Sequence, residues 1–202
     1  MGCQKPLTSE QIKILLAERQ AQSSQEQVIA QGRKAAVLVP ILCREDGWQI
    51  LYTRRSDTVN DHKGQVSFPG GAIEVADGTP EAAALREAHE EIGIDPNQVE
   101  ILGRLGEVPS ISRYVITPVV GLVKWPVLLS VNSHEVSRVF TIPLTWLSQP
   151  DHFESRDFMA PDGRHGMVYF YEPYDSEQLW GISAWITLQL LEILGLINGR
   201  SS

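Results

Sequence analysis

Cysteine is nearly absent from this chain, with only Cys3 and Cys43 among 202 residues. So few thiols do not suggest a disulfide framework, and a reducing, cytoplasmic compartment is the expected location. Long apolar runs are missing too, since none approaches the ~18 residues of a membrane span. The opening residues MGCQKP carry Pro6 where an N-myristoylation pattern has Ser or Thr, and nothing resembles a signal peptide. Positive charge is scarce, with 17 Lys and Arg against 25 Asp and Glu and a net charge of −8. That balance, without any tract of like charge, argues against a nucleic-acid backbone as partner. The five histidines form no close grouping with cysteine, which argues against zinc. A 43% hydrophobic chain of this length fits one enlarged domain with a real core.

Periodicity supplies the outline. Residues 8–32 read as a helical lead-in rich in Gln and Glu, a packing or dimerisation arm, so a homodimer is left open. The lead-in occupies 1–33 and the main domain 34–202. Ala35–Cys43 and Trp48–Thr53, separated by Arg44-Glu45-Asp46-Gly47, read as a β-hairpin. Val99–Leu105, Tyr114–Val123, Val136–Ile142 and Gly166–Tyr171 are further strands. Leu179, Ile182, Ile186, Leu190, Ile193 and Ile197 follow helical spacing and predict a closing helix with one buried face.

One segment carries chemistry. Between the hairpin and Val99, Thr79 predicts an N-cap, Pro80 a first helical residue, and Glu81 a complement to the helix dipole. Ala82, Ala83, Ala84 and Leu85 favour helix, and Gly93 supplies the stop. On that helix, residues three and four apart are neighbours, so Glu87 lies beside Glu90 and Glu91 while Arg86 reaches Glu90. Each contact is worth only about 0.2–0.5 kcal/mol, so a solvated acidic face is the plain reading. A divalent cation would turn the repulsion into coordination, and clustered carboxylates suit Mg²⁺ or Mn²⁺.

The segment GGAIEVADGTPEAAALREAHEEIGI, Gly70 to Ile94, resembles the Nudix box. Arg86, Glu87, Ala88, Glu90, Glu91, Gly93 and Ile94 match the second half at every fixed position. The first half departs. Taking Gly71 as the leading glycine puts Asp77 at the acidic position, one residue further from Arg86 than in the box. The loop is thus lengthened by one, with Asp in place of Glu, and the acid is expected to be accessory.

Immediately upstream, LYTRRSDTVNDHKGQVSFPGG resembles the element that marks the coenzyme A pyrophosphatase branch of the Nudix hydrolases. Leu51, Thr53, Arg55, Ser56, Gly64, Phe68, Pro69, Gly70 and Gly71 match, whereas Tyr52 replaces Leu and Asn60 stands where the pattern has Arg. LWGISAWITLQLLEIL, Leu179 to Leu194, is similar to the closing helix of the same branch. The fold implied is α/β, a Nudix-type α/β/α sandwich around a mixed β-sheet. The activity implied is divalent-metal-dependent hydrolysis of a pyrophosphate bond in a nucleoside diphosphate-x substrate, foremost coenzyme A or an acyl-coenzyme A. ADP-ribose, NADH or a nucleotide sugar is the near alternative, and a nucleotide-sensing domain without turnover is the remote one.

The residues expected to act follow. Glu87, Glu90 and Glu91 are the metal ligands, and Arg86 either orients Glu90 or contacts phosphate. Thr53, Arg55, Ser56, Gly64, Phe68, Gly70 and Gly71 are the substrate-binding candidates. The general base is open among Glu91, Glu107 and Glu135, with Glu135 ahead of the VSRVFTIPL strand in a loop that could reach the metals. The partner expected is a small-molecule nucleotide.

Overall fold

The computed structural model describes residues 7–23, 32–57, 63–110, 113–159 and 165–198. In chain order the elements are α1 (Ser9–Ser23), β1 (Arg33–Arg44), β2 (Gly47–Arg55), β3 (Val66–Ser67), β4 (Gly70–Ala72) and α2 (Pro80–Ile92). They continue as β5 (Val99–Arg104), β6 (Val108–Pro109), β7 (Tyr114–Val123), β8 (Val136–Pro143), α3 (Leu144–Leu147), β9 (Phe153–Met159), β10 (His165–Tyr171) and α4 (Gly181–Ile193).

β1 organises the molecule because its apolar run can be buried on both faces. It pairs in parallel with β7 from Arg33–Tyr114 to Leu42–Val123, and all other pairings in the eight-stranded sheet are antiparallel, so the sheet is mixed. A parallel pair needs a long crossover, and this one carries α2. The other edge of β1 is shared, with Ala35–Val37 facing β4 and Ile41–Arg44 facing β2. Between those partners Leu38 N donates to Pro69 O at 2.9 Å. The sheet opens where β1 changes partner, which brings Phe68 to Gly71 beside α2.

Alternation along β1 sorts the two layers. Ala36 and Leu38 pack with Ala83, Ala84, Ala88 and Val119 under α2, while Leu42 joins Ile92 and Val123. Val39 and Ile41 face α1 and α4 through Ile12, Leu16, Ile186 and Leu190. The three alanines have no exposed surface, so α2 approaches the sheet closely, and a larger side chain there would cost about 1–3 kcal/mol. The result is the α/β/α sandwich expected from the sequence.

Several local expectations are refined. The lead-in is helical to Ser23, and the remainder of the expected helix lies outside the described residues. Its Leu16 sits where a side chain on Gly103 would come within 3.1 Å, so this helix packs on β5. α4 is buried more widely than one face, through Ala184, Ile186, Thr187, Leu188, Leu190 and Leu191, because both α1 and the β9–β10 hairpin lean on it. β9 carries no apolar alternation, since six of its seven residues are exposed. Cys43 is half-buried near the end of β1, and Cys3 lies outside the described residues. Among the described residues no helix is long and apolar enough to cross a membrane.

Candidate active site

The central helix starts as its sequence dictates. Thr79 is extended and its hydroxyl accepts from Ala82 N at 3.2 Å, a cap worth about 1 kcal/mol, and Pro80 follows. Gly93 ends the helix in the left-handed region at φ 75°, and its N–H donates to His89 O. A Cβ on Gly93 would also lie 2.6 Å from Ser130 N, so this glycine makes room for the loop that follows β7.

Arg86 is the hub of the helix rim. Its Nε and Nη2 grip Asp77 Oδ1 and Oδ2 at 2.8 and 3.1 Å, a bidentate pair. Nη1 reaches Glu87 Oε1 at 2.9 Å and Glu90 Oε2 at 3.1 Å, and Nη2 also donates to Ala72 O. The Asp77 side chain is 5% exposed, and the Arg86 guanidinium holds its carboxyl below the ordinary value, helped by the Glu74 N–H. The lengthened loop is therefore closed by Asp77 onto Arg86, and Arg86 spends its fork on protein partners. Its guanidinium thus bonds three carboxylates and one backbone carbonyl.

Glu87 and Glu91 form the inner pair. Burial raises the Glu87 pKa, opposed by Arg86 and reinforced by Glu90 and Glu135. Glu91 is only 4% exposed, and burial pushes its carboxyl up to about 8. Arg55 and the Gly70 N–H act against that rise, while Glu87 and Glu135 add to it. Gly71 is what admits Glu87, since a Cβ there would lie 2.5 Å from Glu87 Oε1. Gly70 is pressed against β1, where a Cβ would lie 2.4 Å from Ala36 O. Glu90 stands at the exposed rim.

The upstream segment lines the same corner. Arg55 Nη1 is 3.9 Å from Glu91 Oε1, and its buried Nε has no hydrogen-bond partner among the described residues. Thr53 is buried with its hydroxyl on Ser67 O at 3.1 Å, and Phe68 packs on Tyr52 at 5.0 Å between ring centroids. Ser56 N donates to Glu135 O at 2.8 Å. Gly64 adopts φ 65° with Arg54 and Asp57 beside it. Thr53, Ser56 and Phe68 thus sit in the frame behind Arg55. Asn60 and His62 lie outside the described residues.

The base candidates separate in space. Glu107 is at the start of β6, paired with Lys34 at 3.2 Å. Glu135 lies near Glu87 and Glu91, because the loop that bears it is tied to the end of α2 by Ser130 N→Ile92 O and Asn132 N→Glu91 O. Sequence spacing gave no hint of Asn132, whose side chain donates to Glu135 Oε1 at 3.2 Å.

Among the described residues no three His, Cys, Asp or Glu side chains converge into a ready metal cage. The donor set nevertheless fits a hard divalent cation. Two carboxylates are held together in low dielectric with raised pKa values, and a cation would reverse the cost of ionising them.

The NUDIX domain profile matches residues 32–163. The uncharacterized Nudix hydrolase NudL of Photorhabdus laumondii is 39% identical over 161 residues, covering 80% of this chain and 84% of the relative. NudL of Yersinia pestis is 37% identical over 163 residues, covering 81% and 80%. Among solved structures, the Nudix hydrolase RenU of M. smegmatis is 25% identical over 55% of this chain and 70% of its own, with a TM-score of 0.48. With the acidic helix and its glycine-rich approach inside the matched span, the chain belongs to the Nudix hydrolase family, whose members act on small nucleotide substrates and generally use divalent metals such as Mg²⁺ or Mn²⁺.

Proposed function

We propose that this chain hydrolyses the pyrophosphate bond of coenzyme A or an acyl-coenzyme A. The observation that carries the reading is the Leu51–Gly71 sequence, which resembles the element of the coenzyme A branch and whose Arg55 lies 3.9 Å from Glu91. A guanidinium so placed is suited to a phosphate oxygen at the metal acids.

Glu87, Glu90 and Glu91 would hold a divalent cation, which would supply charge neutralisation at the phosphates and lower the pKa of water there. Arg86 and Asp77 keep Glu87 and Glu90 in place. Gly71 keeps the space at the Glu87 carboxylate free of a side chain, and Gly70 lets its backbone press against β1, so a diphosphate can approach the metal acids. Glu135 takes the proton from the attacking water. Thr53, Ser56, Gly64 and Phe68 hold the β2–β3 frame that presents Arg55.

Asn60 favours a second reading. It replaces an arginine of the pattern, and if that arginine grips the 3′-phosphate that distinguishes coenzyme A from ADP-ribose and NADH, the group has one fewer partner here. Turnover of coenzyme A, acetyl-coenzyme A, ADP-ribose, NADH and a diadenosine polyphosphate with Mg²⁺ and with Mn²⁺ tests the assignment. A coenzyme A species as best substrate supports it. Efficient cleavage of ADP-ribose or NADH with no cleavage of any coenzyme A species overturns it.

A further inference from the structure

We infer that Asn132 is a positioning residue that holds the Glu135 carboxylate toward Glu87 and Glu91, an inference that rests on the proposed role of Glu135. Asn132 is half-buried in the loop between β7 and β8, and four of its polar groups are engaged. Its N–H donates to Glu91 O at 2.9 Å, fixing the loop to the last turn of α2. Its backbone carbonyl accepts from Glu135 N and Val136 N at 3.0 and 2.9 Å. The side-chain oxygen accepts from His134 N at 3.2 Å, and the amide nitrogen donates to Glu135 Oε1 at 3.2 Å.

The two side-chain bonds do different work. The Oδ1 contact is an Asx-type turn that shapes the loop, which Asp makes as well as Asn. The Nδ2 contact is directed at one carboxylate oxygen, and only an amide of this length supplies it. Glu135 is repelled by two neighbouring acids, so a free Glu135 side chain would rotate away from them. A fixed donor at Oε1 leaves the second oxygen as the one to receive a proton. The loop itself is seated by Gly93, where any side chain would strike Ser130, so the Nudix helix terminator and Asn132 together set the height of Glu135.

Asn132→Asp separates the two roles, because it keeps the turn and removes the donor. Asn132→Ser removes the donor without adding charge. Both should lower kcat about 10–100-fold, the range seen when a ligand-orienting partner is lost, while KM and Tm stay close to wild type. In a Glu135→Gln background Asn132→Ser should produce no further fall. Wild-type kcat in Asn132→Ser, or an equal further fall in the Glu135→Gln background, overturns the inference. If Glu135→Gln alone retains wild-type kcat, the role proposed for Glu135 fails and this inference fails with it. If Glu135→Gln is inactive and Asn132→Ser is not impaired, only the positioning inference fails.

Discussion

Gly71 exists for Glu87: a Cβ at position 71 would come within 2.5 Å of Glu87 Oε1 and 2.6 Å of its Cδ. The obstructed atoms are the end of a flexible side chain, so Gly71→Ala should fold with a small stability loss, displace the carboxylate, and weaken metal-dependent turnover. Gly70→Ala behaves differently. There the Cβ meets Ala36 O and Val37 Cα, which are backbone, and stability should fall by about 1–3 kcal/mol or more. Thermal melts and turnover of the two variants side by side check the contrast, which fails if Gly71→Ala is the less stable.

Asp77→Asn tests the lengthened loop. The substitution removes the charge from a bidentate partner that is 5% exposed and leaves Arg86 paired mainly with Glu87 and Glu90. A modest loss of stability is expected, with a loss of turnover much smaller than that of Glu91→Gln. Turnover at saturating Mg²⁺ ranks the two. A more damaging Asp77→Asn would mean that the loop acid acts on substrate or metal directly.

Without metal, the raised Glu91 pKa makes stability depend on pH in a defined direction. The folded carboxyl titrates near 8 against an ordinary 4.5, so the folded state favours the protonated form. That contribution is fully present below about pH 4.5 and is lost as pH rises through about 8, an effect of up to several kcal/mol. In a chelator, wild-type Tm should therefore decline over this interval, and Glu91→Gln, which cannot ionise, should decline less and melt higher at pH 8. Parallel profiles for the two proteins would contradict the burial of this acid.

The sequence made the helix and its acids legible because capping, the alanine run and the glycine stop are local signals. Arg86 and Glu90 were neighbours by helical spacing alone, and the structure places them 3.1 Å apart. The depth of Glu91 was not legible, since it comes from α2 packing on β1 and β4, with Arg55 from the end of β2 beside the carboxylate. Nor was the choice between Glu107 and Glu135. Both precede strands, and only the hydrogen bonds from Ser130 and Asn132 to the end of α2 bring one of them in. β9 was missed because an exposed strand has no apolar alternation to detect.

Arg55→Ala addresses substrate contact. If Arg55 meets a phosphate, KM for coenzyme A and for 3′-dephospho-coenzyme A should both rise, because the lost charge lies at the shared diphosphate. Asn60→Arg should lower KM for coenzyme A more than for the dephospho form. Unchanged kinetics in Arg55→Ala would reduce its proximity to Glu91 to a structural ion pair.

The most direct test of the site is turnover of the best substrate by Glu91→Gln. The amide keeps the volume of the side chain and removes the charge that would hold a cation. Turnover should fall by orders of magnitude, with Tm in a chelator equal to or above wild type. Near-wild-type hydrolysis with unchanged metal dependence would contradict the account.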